Sequence, residues 1–383
     1  MSDFLYIDTA PALGALVSRL RGSEWLALDT EFMREKTYYP QLCLIQIAAP
    51  DGTMACVDPL ALDSLDPLAE LLFDPAVTKV FHAGRQDLEL FYHIYGRVPG
   101  PVFDTQLAAS LAGFKDQPGY ATVVRELLDV HLEKAHTRAD WSRRPLPSEV
   151  LAYAVDDVRY LGSVYRTLRE RLAEHGRLHW LDDEHNLLAD PDTYRPNPDT
   201  AWLRVKGTQK LKPRQRGALA LLAGWREEQA MRRDRPRKWI LGDDILLDLA
   251  RRLPVNRADL EATRGLNPDL ARREGDRVLA LIEQARQGPG IREQKKGARL
   301  TSAQEAMADA VMALIRLVGE GQAISPANLV TRKDLDRLVQ GKRDIPLLRG
   351  WRRQAAGNEV LALLEGRTAL GIEGGKLVIL RGD

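Results

Sequence analysis

Trp25-Leu26-Ala27-Leu28-Asp29-Thr30-Glu31 alternates with period two and reads as a β-strand. Side chains at i and i+2 of a strand share a face, so Asp29 and Glu31 converge on one side of a sheet, flanked by apolar Leu28 and Phe32. Two such acids repel each other and lose hydration together, which is unfavourable unless cations compensate. Mg²⁺ or Mn²⁺ suits hard carboxylate oxygens. Taken alone, Asp-x-Glu is better explained as a solvated strand face, so the rest of the chain decides.

Around that strand the first half alternates strand-like and helix-like stretches. Phe4-Leu-Tyr-Ile-Asp8 reads as a strand, and Thr9 as the N-cap of a helix over 11–20. Stretches 42–48 and 53–57 are two more strands, joined by Pro50-Asp51-Gly52, and so short a link makes them antiparallel. Lys79-Val-Phe-His82 is a further strand. Helical periodicity then dominates 85–95, 104–113, 119–130 and 147–175. Antiparallel strands followed by strands interleaved with helices predict a mixed α/β sheet.

Residues 190–199, with Pro191, Pro196 and Pro198 and no periodicity, read as a linker. Beyond them the strand pattern nearly vanishes. Helices are predicted over 214–232, 243–251, 257–263 and 269–286, and a second helical block over 301–383 after Gly288-Pro289-Gly290. Val278-Leu-Ala-Leu-Ile-Glu283 matches Val360-Leu-Ala-Leu-Leu-Glu365, and Asp259-Leu-Glu261 is echoed by Asp334-Leu-Asp336 in the same order. The two blocks therefore read as a divergent repeat. The expected domains are 1–200, 209–289 and 297–383.

Charge divides the chain in the same place. The total is +1, from 55 Lys+Arg and 54 Asp+Glu. Residues 1–200 hold 19 basic and 31 acidic side chains, a balance of −12; the remaining 36 and 23 give residues 201–383 a balance of +13. Such asymmetry points to separate domains, the basic one meeting an anionic partner. At 44% hydrophobic and 28% charged, the chain is neither disordered nor fibrous. No apolar run approaches the ~18 residues of a membrane span, and MSDFLYIDTAPALGAL lacks a signal-peptide pattern. Cys43 and Cys56 have no metal-binding spacing and read as buried, reduced thiols of a cytoplasmic protein.

Two further places add acids to the first pair. Phe81-His82-Ala83-Gly84-Arg85-Gln86-Asp87 ends a strand and opens a helix, which puts Asp87 near the sheet edge. Gly84 there permits close approach or an unusual backbone angle. In the helix through 151–158, Tyr153 and Asp157 stand at i and i+4 on one face, whereas Asp156 points away as a solvated residue.

With these pieces in order, the chain resembles the ribonuclease D family of DEDD exonucleases, in the subgroup with a tyrosine in its last motif. The likeness runs through Asp29-Thr-Glu31-Phe32, Thr37-Tyr-Tyr-Pro-Gln-Leu42, Leu44-Ile-Gln46, His82-Ala-Gly84, Asp87-Leu-Glu89 and Phe103-Asp-Thr-Gln106. It continues through Lys134, Arg138, Trp141, Arg144-Pro-Leu146, Tyr153-x-x-x-Asp157 and Tyr160-Leu161. It covers the whole chain, because the helical blocks resemble HRDC domains, the second more diverged. Arg85-Gln86, Glu133, Ala135 and His136 depart from the pattern; the four acids and the tyrosine do not.

The resemblance implies an α/β ribonuclease H-like exonuclease domain with a mixed sheet, followed by two all-α HRDC-like domains. It implies a 3′–5′ exoribonuclease, monomeric and cytoplasmic, that trims tRNA precursors and other structured RNAs with two divalent ions, Mg²⁺ or Mn²⁺, and releases 5′-mononucleotides. Two ions about 3.5–4 Å apart activate the nucleophile, neutralise phosphate charge and stabilise the leaving oxygen. In that scheme Asp29, Glu31 and Asp157 hold the ion nearer the attacking water, Asp29 bridges to the second, and Asp87 supports it. Tyr153 orients the water; with an ordinary pKa near 10 it is a poor general base.

Residues for RNA contact keep two readings each. Phe32 and Gln46 position the terminal nucleotide or simply pack. Tyr38 and Tyr39 stack on bases or face the core. Lys134, Arg138 and Arg144 meet phosphate, or an arginine pairs with Asp140. His82 reads as structural, and Asp104 as a helix cap. Residues 201–226 hold seven basic side chains and no acid, among them Lys210, Lys212, Arg214 and Arg216. A second cluster is Arg232, Arg233, Arg235, Arg237 and Lys238. Trp202, Trp225 and Trp239 lie among or beside them and read as core residues. Basic side chains interleaved with aromatics suit sequence-independent RNA binding. Residues 201–290 balance at +8 (20 basic, 12 acidic) and 291–383 at +5 (16 and 11), which favours the first block as the grip. A DNA 3′–5′ exonuclease would use the same acids, but no polymerase- or helicase-like segment is present. A non-catalytic RNA-binding protein would not need the intact acids and Tyr153.

Overall fold

The computed structural model describes residues 3–132, 139–292 and 299–381. Six strands, β1 (Leu5–Ile7), β2 (Trp25–Met33), β3 (Gln41–Ala48), β4 (Met54–Val57), β5 (Thr78–Phe81) and β6 (Val102–Asp104), form one sheet in the order β1–β4–β3–β2–β5–β6. β3 and β4 are antiparallel, while β1–β4, β2–β5 and β5–β6 are parallel, so the mixed sheet is as predicted. Central position decides the character of β2. Leu26, Ala27 and Leu28 are all essentially inaccessible, so this half of the strand is covered on both faces. Exposure begins at Asp29, where the strand leaves the core.

Helices cover the sheet. Helix Leu161–Glu174 packs by Gly162, where an added Cβ would lie 2.0 Å from the Trp25 ring. The region predicted as one helix over 147–175 is two, Ser148–Arg159 and Leu161–Glu174. Three elements around the sheet show no clear period in the sequence. β6 is only three residues long, too short to display a period, and 104 proves to be the cap of helix Thr105–Leu111. Helices Asp66–Leu72 and Asp182–Ala189 span two turns each, too little for a clear apolar stripe.

By packing, the chain forms two compact units that cut across the segments 1–200, 209–289 and 297–383. One comprises the described residues of 1–32, 42–193 and 297–383; the other comprises those of 33–41 and 194–296. In the first unit the sheet, its helices and the C-terminal helices share one hydrophobic core. Trp180 stacks on Trp351 with ring centroids 5.2 Å apart and planes 15° from parallel. Arg352 pairs with Glu184 at 2.7 Å, and the Asn328 amide donates to the Ser110 carbonyl at 3.2 Å. The expectation of an all-α end is corrected: β7 (Thr368–Glu373) and β8 (Lys376–Arg381) make an antiparallel hairpin. Gly374 and Gly375, at φ +56° and +77°, supply the turn that other residues resist. The leucine-rich helix just before them hid this short period-two pattern.

The second unit is helical, built from Pro213–Arg233, Arg237–Ile240, Asp243–Arg252, Arg257–Glu261 and Pro268–Gln287 around Leu219, Leu222, Trp225, Leu246 and Ile282. Segment 33–41, which follows β2's acids in the chain, packs here. The Tyr38 hydroxyl donates to buried Glu227 at 2.5 Å, and Asp234 accepts from the Tyr38 and Tyr39 amides at 2.9 and 3.0 Å. Glu227 also receives the Arg237 guanidinium through two bonds of 2.5 and 2.6 Å. Among the described residues, no helix is long and apolar enough to cross a membrane.

Trp351 joins the C-terminal helices to the sheet's core. Trp351→Ala is expected to destabilise the first unit by about 3–5 kcal/mol. Urea unfolding monitored by near-UV circular dichroism measures this; an unchanged midpoint contradicts the shared core.

Candidate active site

Four acids meet where β2 emerges. Asp29 and Glu31, two residues apart on the strand, and Asp157, from helix Ser148–Arg159, each bring a carboxylate oxygen within 4.8 Å of the others. Asp87 stands in the first turn of helix Arg85–Tyr95, buried, and accepts a hydrogen bond from the Thr30 hydroxyl. The turn before it is tight. Ala83 adopts φ +59°, and a Cβ on Gly84 would lie 2.4 Å from that of Phe81, so close approach is what the glycine permits.

Their electrostatics follow from crowding. Burial, then the charges of Asp87, Asp157 and Glu31, holds the Asp29 carboxyl well above the usual range. Burial, then Asp157 and Asp87, pushes Glu31 up to about 8. Burial and neighbouring Asp156 raise Asp157 to about 7. Asp87 rises to about 6, because burial outweighs the opposing hydrogen bond from Thr30. Tyr153, one turn before Asp157, is pushed to about 12 by burial and by the charges of Asp157, Glu31 and Asp29. Its hydroxyl thus holds its proton at neutral pH. An all-oxygen set of anionic donors fits a hard divalent ion.

The neighbouring residues sort themselves. Asp104 is a helix cap as read from sequence: it accepts from the Gln106 and Leu107 amides at 2.9 and 3.3 Å and from those of Ala83 and Gly84. His82 bonds Thr105 and the Pro118 carbonyl at 2.9 and 3.0 Å, which suits a structural role. Asp156 pairs with Arg159 at 2.6 Å. Thr30 was not singled out by sequence; it lies between the two strand acids, and that position was the clue to its role.

Residues read as RNA contacts differ in their surroundings. Phe32 is half-buried beside the acids. Gln46 is fully buried on β3, and neither amide atom has a partner among the described residues. Arg144 spends its guanidinium on Asp58, at 2.5 and 2.7 Å, and on the Cys43 and Trp141 carbonyls, not on Asp140. Tyr38 is held by Glu227. Lys210, Lys212 and Arg214 are exposed, whereas Arg216 is buried. Lys134 and Arg138 lie outside the described residues. Cys43 and Cys56 are buried, and neither forms a disulfide. Trp225 is core as expected, but Trp239 is 53% exposed.

Residues 4–173 match a 3′–5′ exonuclease family model, and residues 215–282 match an HRDC domain model. The ribonuclease D of Gluconacetobacter diazotrophicus is 41% identical over 377 residues, covering 97% of this chain and 95% of that one. That of Granulibacter bethesdensis is 41% identical over 383 residues, covering 98% and 96%. The crystal structure of Escherichia coli RNase D, an exoribonuclease involved in structured RNA processing, aligns with a TM-score of 0.81 at 32% identity, over 96% of this chain and 99% of that one.

The raised carboxyls set a sign for pH dependence. Unfolded acids release their protons near pH 4, whereas Asp87, Asp157 and Glu31 keep theirs until about 6, 7 and 8. The folded protein then binds more protons than the unfolded one, so without metal its stability falls as pH rises from about 5 to 8. Divalent ions reverse the loss by binding the ionised acids. Thermal melting in EDTA and in Mn²⁺ across this range measures both; equal slopes contradict the cluster's electrostatics.

Proposed function

Because the chain belongs to the ribonuclease D family, and is a 3′–5′ exoribonuclease, we propose that it trims structured RNAs such as tRNA precursors from the 3′ end and releases 5′-mononucleotides. The observation that carries the chemistry is the convergence of Asp29, Glu31 and Asp157, with Asp87 buried alongside. Asp29, Glu31 and Asp157 would hold one divalent ion, and Asp87 with Asp29 would support a second. Bound there, the ions supply charge neutralisation for the phosphate and lower the pKa of water. Mg²⁺ and Mn²⁺ both suit the donors.

Tyr153 serves as a hydrogen-bond donor and orienter of the attacking water. A hydroxyl whose pKa is pushed up to about 12 keeps its proton at neutral pH and cannot act as the base. Its placement among three acids supports this role. Phe32, half-buried next to Glu31, packs against the terminal nucleotide. Of the basic candidates, exposed Lys210, Lys212 and Arg214 remain suited to phosphate; Arg144 and Arg216 are suited to holding structure.

Domain assignments follow the same reading. Residues 1–200 form the exonuclease domain and 209–289 an HRDC domain. Residues 297–383 are a second, diverged HRDC-like domain, supported by the internal repeat and ending in the β7–β8 hairpin. The protein works as a cytoplasmic monomer, and the tyrosine subgroup is its place among DEDD enzymes.

Asp29→Asn should lower kcat on RNA by about 10³-fold or more while leaving RNA affinity within about twofold. Tyr153→Phe should lower kcat by roughly 10²-fold without weakening Mn²⁺ binding. Single-turnover assays on a tRNA with a short 3′ trailer, beside a matched DNA strand, measure these; substantial activity in Asp29→Asn overturns the assignment, and preference for DNA overturns the substrate class.

A further inference from the structure

The helical unit contains a pocket of about 640 Å³, well within the ~300–1,000 Å³ of small-molecule sites and roomy enough for a nucleotide. Segment 33–41 supplies one wall, through Arg34 and Tyr38; Arg204, Arg237 and Lys238 supply others. Buried Glu227 holds both Tyr38 and Arg237 in place. Arg237 also lies over the Tyr38 ring, 4.8 Å from its centroid.

The charges here do not cancel. Arg226 is paired with Asp243 at 2.6 Å, and Arg237 with Glu227 at 2.5 Å. Arg204 lies 3.6 Å from the same Glu227; with Glu227 counted, the five basic lining side chains, Arg34, Arg204, Arg226, Arg237 and Lys238, meet four acids, Glu35, Asp243, Asp244 and Glu227. That leaves one excess positive charge, the complement of one internucleotide phosphate. The residue after Lys238 is Trp239, whose large ring is 53% exposed, with the Arg235 guanidinium 5.8 Å from its centroid. Lys238 lines the pocket and Trp239 follows it in the chain, so a phosphate contact and an aromatic face, the two parts of a sequence-tolerant RNA site, come from adjacent residues.

We infer that this pocket and Trp239 form a subsite for single-stranded RNA, with a backbone phosphate against Lys238 and Arg204 and a base stacked on the Trp239 indole. The inference rests on the exoribonuclease reading and moves the principal grip from Lys210, Lys212 and Arg214 to this pocket. It also puts the grip on the wall made by segment 33–41, the stretch of chain that directly follows the acids of β2.

The test uses the full chain in EDTA, so that binding is read without hydrolysis. The probe is a fluorescein-labelled single-stranded oligoribonucleotide. Lys238 and Trp239 are exposed, so Lys238→Ala/Trp239→Ala should fold, which thermal melting checks. Its Kd should rise roughly tenfold or more. Lys238→Ala alone should reduce the salt dependence, log Kd against log salt, by about 0.7. RNA should quench tryptophan emission in the wild type and do so less in Trp239→Phe. Lys210→Ala/Lys212→Ala should change Kd by less than the pocket pair does. Wild-type affinity and salt slope in the pocket variants, or a larger effect from the Lys210 and Lys212 pair, overturns the subsite. If the wild type itself neither binds nor shortens RNA, the exoribonuclease reading fails first, and the two failures are thereby distinct.

Discussion

Joint burial of Asp29, Glu31, Asp87 and Asp157 is the constraint around which their half of the chain is organised. Each carboxyl is raised above its ordinary pKa, with burial as the largest cause in every case. Such crowding opposes folding. It is sustained because the acids ride on elements fixed by other means. β2 is clamped between neighbours by inaccessible Leu26, Ala27 and Leu28; helix Leu161–Glu174 closes on Trp25 through Gly162; and the turn before Asp87 is pinned by Asp104. The site is preorganised for cations by a scaffold that does not depend on them.

Charge division along the chain acquires a structural meaning. The first 200 residues balance at −12 and the remainder at +13. Four acids account for only part of the first figure. In the helical unit much of the basic charge is internally committed: Arg226 to Asp243, Arg233 to Glu274, Arg237 to Glu227. Net charge therefore overstates what is available to a polyanion, and the residues that remain uncommitted matter more than the total.

The sequence was most legible where chemistry fixes spacing. Asp29 and Glu31 at i and i+2, and Tyr153 and Asp157 at i and i+4, converge as those periods require. The antiparallel turn at Pro50-Asp51-Gly52 and the Asp104 cap follow equally local rules. Illegible features were those decided by partners distant in sequence. Arg144 lies near Asp140 in the chain yet bonds Asp58 across 86 positions. Tyr38 bonds Glu227 across 189. Gln46 looks polar and available, but β3 is an interior strand and buries it completely. Trp239 resembles its neighbours Trp202 and Trp225 in composition, and only the fold leaves it in water. The β7–β8 hairpin escaped because helical periodicity just upstream set the expectation.

Metal binding by the crowded carboxylates is read out by anomalous diffraction from crystals of the full chain soaked in Mn²⁺. Two anomalous peaks are expected, one beside Asp29, Glu31 and Asp157, and a second on the Asp87 side of Asp29. Crystals whose four acids are well ordered at neutral pH but carry no peak between them would contradict it.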